Sequence, residues 1–136
     1  MTVFNEQEFA PYAKKGTSSI AGQAFLKTRG GEVRYGAGDT VMLVPVTSYS
    51  TELWRLALTG KTPSQYDVRY ANYIKKVTAD GMGNFEFNEI PAGEYYMECP
   101  IFWEVAGKYG MERTGARIRT QVKVADGEKL KVILTE

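Results

Sequence analysis

The residues most able to do chemistry lie in the second half of the chain. Glu94, Glu98 and Glu104 could supply an acid and a base, Cys99 is the single thiol, and Arg113, Arg117 and Arg119 follow within one short stretch. Histidine is absent from all 136 residues. That removes the usual general base near neutral pH and the commonest ligand for zinc, copper and iron. With one cysteine and no histidine, neither a structural zinc site nor any other metal centre or cofactor is expected. Paired carboxylates remain as a route to glycan or ester hydrolysis, which requires two carboxyls roughly 5 to 10 Å apart across a cleft. Glu94 and Glu98, four apart on a strand, share a face at about 13 Å, too far for that pair. A histidine-independent hydrolase is therefore the alternative reading, and it needs an acid from elsewhere in the fold.

Composition narrows the partners. Seventeen basic and sixteen acidic residues leave a formal charge of +1, so no general field draws the chain to nucleic acid. Hydrophobic residues make up 43% of the sequence, enough for one core, and no run reaches the length of a transmembrane helix. Cys99 falls on the inward phase of a strand and reads as a small buried hydrophobe. The glycines at 30, 31, 36 and 38 lack the spacing of a phosphate-binding loop and read as turns.

The elements that must position these residues are mainly strands. In Gly83-Asn84-Phe85-Glu86-Phe87-Asn88-Glu89-Ile90 apolar and polar residues alternate, Pro91-Ala92-Gly93 turns the chain, and Tyr95, Met97 and Cys99 share the inward face of the next strand. Strands are predicted at 18–27, 40–46, 74–79, 84–88, 94–105, 116–124 and 129–135. Between the second and third lies an insertion, 46–73. There Ser50 is expected to cap a helix carrying Leu53, Trp54, Leu56 and Ala57 that stops at Gly60, and Thr62-Pro63-Ser64-Gln65 is expected to start a second. Tyr66, Tyr70 and Tyr73 would form one stripe of that second helix. Residues 1–17, with Phe4, Phe9 and Tyr12 among polar residues, read as an arm or linker before a domain spanning 18–136.

The run Gly-x-Phe-x-Phe-x-x-Ile-Pro-x-Gly-x-Tyr-x-Met at 83–97 resembles the signature of carboxypeptidase regulatory-like domains. Ile20-Ala21-Gly22-Gln23-Ala24, Val41-Met42-Leu43 and the closing segment from Val122 to Leu134 fit the same pattern. This resemblance implies an all-β, antiparallel, seven-stranded transthyretin-like Greek-key β-sandwich, with one or two short helices after the second strand. Asp39 departs from the pattern, which usually has alanine there. Residues 47–54 and 95–105 are also similar to a small group of uncharacterised bacterial proteins of this type. The urate-pathway hydrolases of the transthyretin-like fold rely on histidine and a Tyr-Arg-Gly-Ser end, which this chain lacks. Adhesin sandwiches that cross-link a lysine to a final-strand asparagine are also a poor match, because Lys27 finds no asparagine within 129–136.

The insertion at 46–73 and a second one that follows Cys99 are expected to meet at one end of the sandwich, with Trp54 against Trp103, and to expose Tyr49, Trp54, Tyr66, Tyr70, Trp103, Tyr109 and Arg113 as a binding face. The expected function is a non-catalytic binding or assembly module that recognises a protein or glycan partner, with the N-terminal arm able to add to the sheet edge of a second copy. The resemblance implies a bacterial envelope protein acting after loss of a leader, with the cytoplasm as the alternative compartment.

Overall fold

A computed structural model describes residues 2–63 and 65–136. Eight strands form two four-stranded sheets that face each other. The first sheet holds β1 (Ser18–Lys27), β2 (Val33–Tyr35), β5 (Asn84–Ile90) and β8 (Lys129–Leu134); the second runs in the order β4 (Lys75–Thr78), β3 (Thr40–Pro45), β6 (Gly93–Gly107), β7 (Gly110–Val124). The expected count of seven is corrected by β2, only three residues long and too short to show a period. The antiparallel expectation holds for every pair except β1 with β8, which run parallel from Ser19↔Lys129 to Ala24↔Leu134. On the other flank of β1, Ala24 donates to the Gly83 carbonyl and accepts from Gly36, so β5 hands that edge over to β2.

Inward residues of both sheets make the core, including Ile20, Leu43, Phe87, Tyr95, Met97, Ile101, Ile118 and Leu134. Gly22 is required here. A Cβ on it would stand 2.4 Å from the Val132 carbonyl oxygen and 2.7 Å from the Phe85 ring, so only glycine lets β8 and that ring approach β1. The spacing Phe85-x-Phe87-x-x-Ile90 breaks alternation because the β1–β5 register slips between Ser18 and Ile20. Glu89 sits at φ +54°, and the extra residue returns Ile90 to the core.

The helix of the insertion, α2 (Ser48–Leu58), starts earlier than expected. Thr47 is its cap and Ser50 the third residue, each side chain bonding the other's backbone N–H. It ends as expected: Gly60 and Lys61 donate to the carbonyls of Ala57 and Leu56, and Gly60 takes φ +72°. The second expected helix is instead a 3₁₀ segment, Val68–Tyr73, capped by Asp67; Ser64 of the expected start lies outside the described residues. No helix among the described residues is long and apolar enough to cross a membrane.

The segment expected as an arm is packed. It carries α1 (Glu6–Phe9) and a 3₁₀ turn, Ala10–Tyr12. Phe4 and Phe9 stack at 4.5 Å and are 5% and 0% exposed, enclosed with Tyr49 and Leu53 and flanked by Tyr70 and Tyr73. The Glu8 carboxylate accepts from the Ser48 N–H and hydroxyl at the start of α2, and both bonds hold its pKa below the ordinary value. Tyr12 reaches the main core, edge-on to Tyr95 at 5.2 Å. The segment is therefore anchored on its own sandwich through Phe4, Phe9 and Tyr12 rather than hanging free as an arm.

Phe9→Ala should cost about 3–5 kcal/mol, the usual range for deleting a buried aromatic ring, in urea unfolding followed by circular dichroism. A loss below about 0.5 kcal/mol, the size of an exposed substitution, would show that the segment is not packed.

Candidate functional site

The seven residues expected to share a face fall into two separate groups. Tyr49 is 3% exposed inside the second cluster, where its hydroxyl accepts from the Asp67 N–H at 2.8 Å. Tyr70 lies edge-on to it at 5.2 Å, and burial pushes its phenol well above the ordinary range. Both pack in the cluster between α2 and the N-terminal segment. Trp54 stacks on Tyr96 at 4.5 Å and 13°, with the Arg119 guanidinium 5.2 Å from its ring. Thr51 and Tyr96 bond through their hydroxyls at 2.8 Å. Together these contacts clamp α2 onto the outer face of β6. Tyr66 is half exposed, above a shallow depression shared with Phe4, Gln65 and Asp67.

The expected contact of Trp54 with Trp103 is not formed. Trp103 lies seven residues beyond Tyr96 on β6, about 23 Å along the strand, and points to the opposite face. It shares the phase of Met97, Cys99 and Ile101, packs at the margin of the core, and lies 5.5 Å from the Arg34 guanidinium.

The second group sits where β6 and β7 run on as a two-stranded ribbon past the sandwich. Arg113 lies over the Phe102 ring at 4.0 Å. Phe102 is paired with Gly115, which takes φ +121°. A Cβ on Gly115 would fall 2.1 Å from the Ile101 carbonyl oxygen. Across from glycine, the outer surface beside Phe102 stays open. Asp39, Pro100, Phe102, Trp103, Glu104 and Arg113 line a cleft of about 330 Å³ there. Tyr109 stands at the ribbon tip, 90% exposed and outside the cleft lining. Of the expected face, Trp103 and Arg113 meet in this concavity, and Tyr49 and Tyr66 meet in the shallow depression beside the N-terminal segment.

Electrostatics separate the groups that are free from those that are engaged. Arg117 Nη1 and Arg119 Nε donate to Glu98 at 2.9 and 2.8 Å, and Gln121 donates to Glu94. Asp39 is the carboxylate that its surroundings leave uncomfortable: burial raises its pKa above the ordinary aspartate range. The Cys99 thiol, fully buried, is pushed up to about 12 by burial first and then by Asp39 and Glu98. It stays protonated near neutral pH and is no nucleophile. Among the described residues, no group of three histidine, cysteine, aspartate or glutamate side chains could hold a metal ion. Sequence reasoning passed over Phe102 and Asp39 as site residues. Asp39 did carry a signal, since an acid replaced the small residue of the resembled pattern.

No family model matches the chain, and no curated protein does. Among solved structures, it is similar to one from Pseudomonas aeruginosa described as a putative carbohydrate binding protein. The two are 28% identical, the match covers 100% of this chain and 99% of that one, and the TM-score is 0.87. A likeness to the major pilin subunit of Bacillus cereus, at 14% identity and a TM-score of 0.50, covers 88% of this chain but 29% of the pilin and concerns the sandwich fold alone.

The raised pKa of Asp39 sets the sign of a stability test. Protonation favours the folded state, so stability falls as pH rises from the ordinary aspartate range through the raised folded value. Asp39→Asn should therefore match or exceed the parent in stability at pH 7, with the gap closing below about pH 4, as measured by thermal unfolding across pH. A variant less stable than the parent at pH 7 would mean that the carboxylate supports the fold.

Proposed function

We propose that the protein is a non-catalytic carbohydrate-binding module, working in a bacterial envelope, that seats a saccharide in the Asp39–Phe102–Glu104–Arg113 cleft. One observation carries the reading: an aromatic ring, a guanidinium and two carboxylates line a single shallow concavity. Sugar hydroxyls both donate and accept, so they need acceptors and donors set side by side. Asp39 and Glu104 accept, and Arg113 donates. Phe102 offers apolar contact to the C–H faces of a sugar ring at little conformational cost. A concavity of about 330 Å³ is at the small end for ligand sites and suits one or two sugar residues.

The full-length likeness to the Pseudomonas aeruginosa structure supports this choice of ligand over a protein partner. The resemblance of residues 83–97 to carboxypeptidase regulatory-like domains agrees with a small transthyretin-like sandwich serving as an accessory binding unit, and it is the basis for placing the module in the envelope. In this reading Asp39 and Glu104 serve as hydroxyl acceptors, and burial raises the pKa of Asp39.

The test is a panel of neutral and acidic trisaccharides followed by ¹H–¹⁵N NMR. Binding should shift the amides of Asp39, Phe102, Glu104 and Arg113, and both Phe102→Ala and Arg113→Ala should weaken it about tenfold, the scale of losing one well-placed contact. If no saccharide perturbs these amides at about 10 mM, a concentration that would reveal even a weak complex near 1 mM, the proposal fails. Release of new reducing ends would restore the hydrolase reading.

A further inference from the structure

A second cleft lies on the other side of the same ribbon. It has a volume of about 470 Å³ and is bounded by the β1–β2 hairpin, through Lys27, Arg29, Glu32 and Arg34, and by Trp103 and Thr114 of the ribbon. Arg34 is held in it by the Trp103 ring, 5.5 Å from the guanidinium carbon. Its Nη2 lies 3.6 Å from Glu32, an exposed pair too long for a hydrogen bond. Its Nε is buried, and among the described residues it has no hydrogen-bond partner.

Buried donors are nearly always satisfied, and this one marks a guanidinium that the fold has not fully engaged. In an arginine the two Nη groups form a planar fork that matches the two oxygens of a carboxylate, and 41% of the Arg34 side chain is exposed. Here the aromatic ring holds that fork in place, and its one contact is a loose exposed ion pair, of little strength and easily exchanged. Lys27 and Arg29 add two further cations to the wall, against the carboxylates of Glu32 and Glu136. The threonine hydroxyls at 28 and 114 complete the polar lining.

We propose that this cleft takes the carboxylate of an acidic sugar residue, with Arg34 as its fork, and that the module selects uronate-containing glycans. The inference rests on the glycan reading of the neighbouring cleft. Trp103 forms a wall of both concavities, which favours one saccharide touching both sides of the ribbon over an unrelated acidic peptide. Arg34 recognises the charge and Phe102 with Arg113 the sugar ring.

The experiment compares trigalacturonic acid, its fully methyl-esterified form and a hexaglutamate peptide on the full chain, by NMR of the arginine Nε–H and tryptophan indole resonances. The acid should bind at least tenfold more tightly than the ester and shift the Arg34 and Trp103 signals. Arg34→Gln should abolish that preference, and Arg29→Glu, on an exposed turn, should reduce it without risk to the fold. Phe102→Ala should weaken acid and ester alike. Equal affinity for acid and ester would overturn the inference while leaving the glycan reading intact. An acid preference that survives Arg34→Gln would also overturn it. Shifts of Arg34 by hexaglutamate with none by either saccharide would make the site a peptide-carboxylate receptor. Silence from all three probes overturns the inference, and the glycan reading falls with it only if the neutral panel is silent as well.

Discussion

The pairing of β6 with β7 positions everything else in this molecule. From Gly93↔Val124 to Gly107↔Gly110 the two strands stay in one unbroken antiparallel register. Along β6 the inward phase gives Tyr95, Met97, Cys99 and Ile101 to the core, and the outward phase gives Tyr96 to α2, Glu98 to two arginines and Phe102 to the cleft. A slip of one residue would exchange these roles entirely. Glu98 resists it by binding Arg119 directly opposite and Arg117 on the diagonal. Two glycines flank the two-residue turn at Lys108 and Tyr109 and let the chain reverse tightly. The carboxylate that the sequence offered as a catalytic acid thus keeps two strands aligned.

The outward face of the second sheet is divided in two. Near Tyr96 it is covered by α2, which is in turn covered by the N-terminal segment through Phe4 and Phe9. Near Phe102 no helix among the described residues covers it, and only the Arg113 guanidinium lies over the ring. Most aromatic residues of the first insertion go into the covering, with Tyr49 buried and Tyr70 half-buried beside Phe4 and Phe9, while Tyr66 stays exposed. Abundance of tyrosine and tryptophan was therefore a poor guide to what the fold leaves exposed. A better one is the presence of groups that the fold leaves unsatisfied: Asp39 raised by burial, Arg34 with an unpaired Nε, and Arg113 resting on a ring rather than on a carboxylate.

Much of the sandwich could be read from alternation together with the family resemblance. Strands β1, β3 to β6 and β8 lie close to their expected places because each carries a period-two pattern against a half-buried face, whereas β7 begins at Gly110 rather than the expected 116, since its exposed first residues show no burial period. Even the bulge was written in the sequence, as the doubled polar spacing between Phe87 and Ile90. The strand phase also held an unused answer. Trp103 continues the inward set of Tyr95, Met97 and Cys99, so it could not meet a helix lying on Tyr96. What escaped were features decided by distant contacts. Thr47 outcompeted Ser50 as the helix cap because Ser50 bonds back to Pro45 and Thr47. The N-terminal segment has no period, and only the cavity beside α2 gives Phe9 a place to bury. The β2 pairing rests on three residues and a glycine-rich approach, below the length at which a pattern exists.

Both clefts follow from a mismatch in length. Strands β6 and β7 run for fifteen residues each, while β5 and β8 of the facing sheet run for seven and six. The second sheet therefore overhangs the first, and β2 reaches only part of the way beneath it. A two-stranded ribbon standing alone is at best marginally stable in water. This one is braced on each face by a guanidinium against an aromatic ring, Arg113 on Phe102 outside and Arg34 near Trp103 inside. Each such contact contributes roughly 0.5 to 1 kcal/mol where exposed. The braces are also the residues argued to meet a saccharide. Stiffness of the ribbon and shape of the two clefts thus rest on the same two contacts, one on each face of the strand pair.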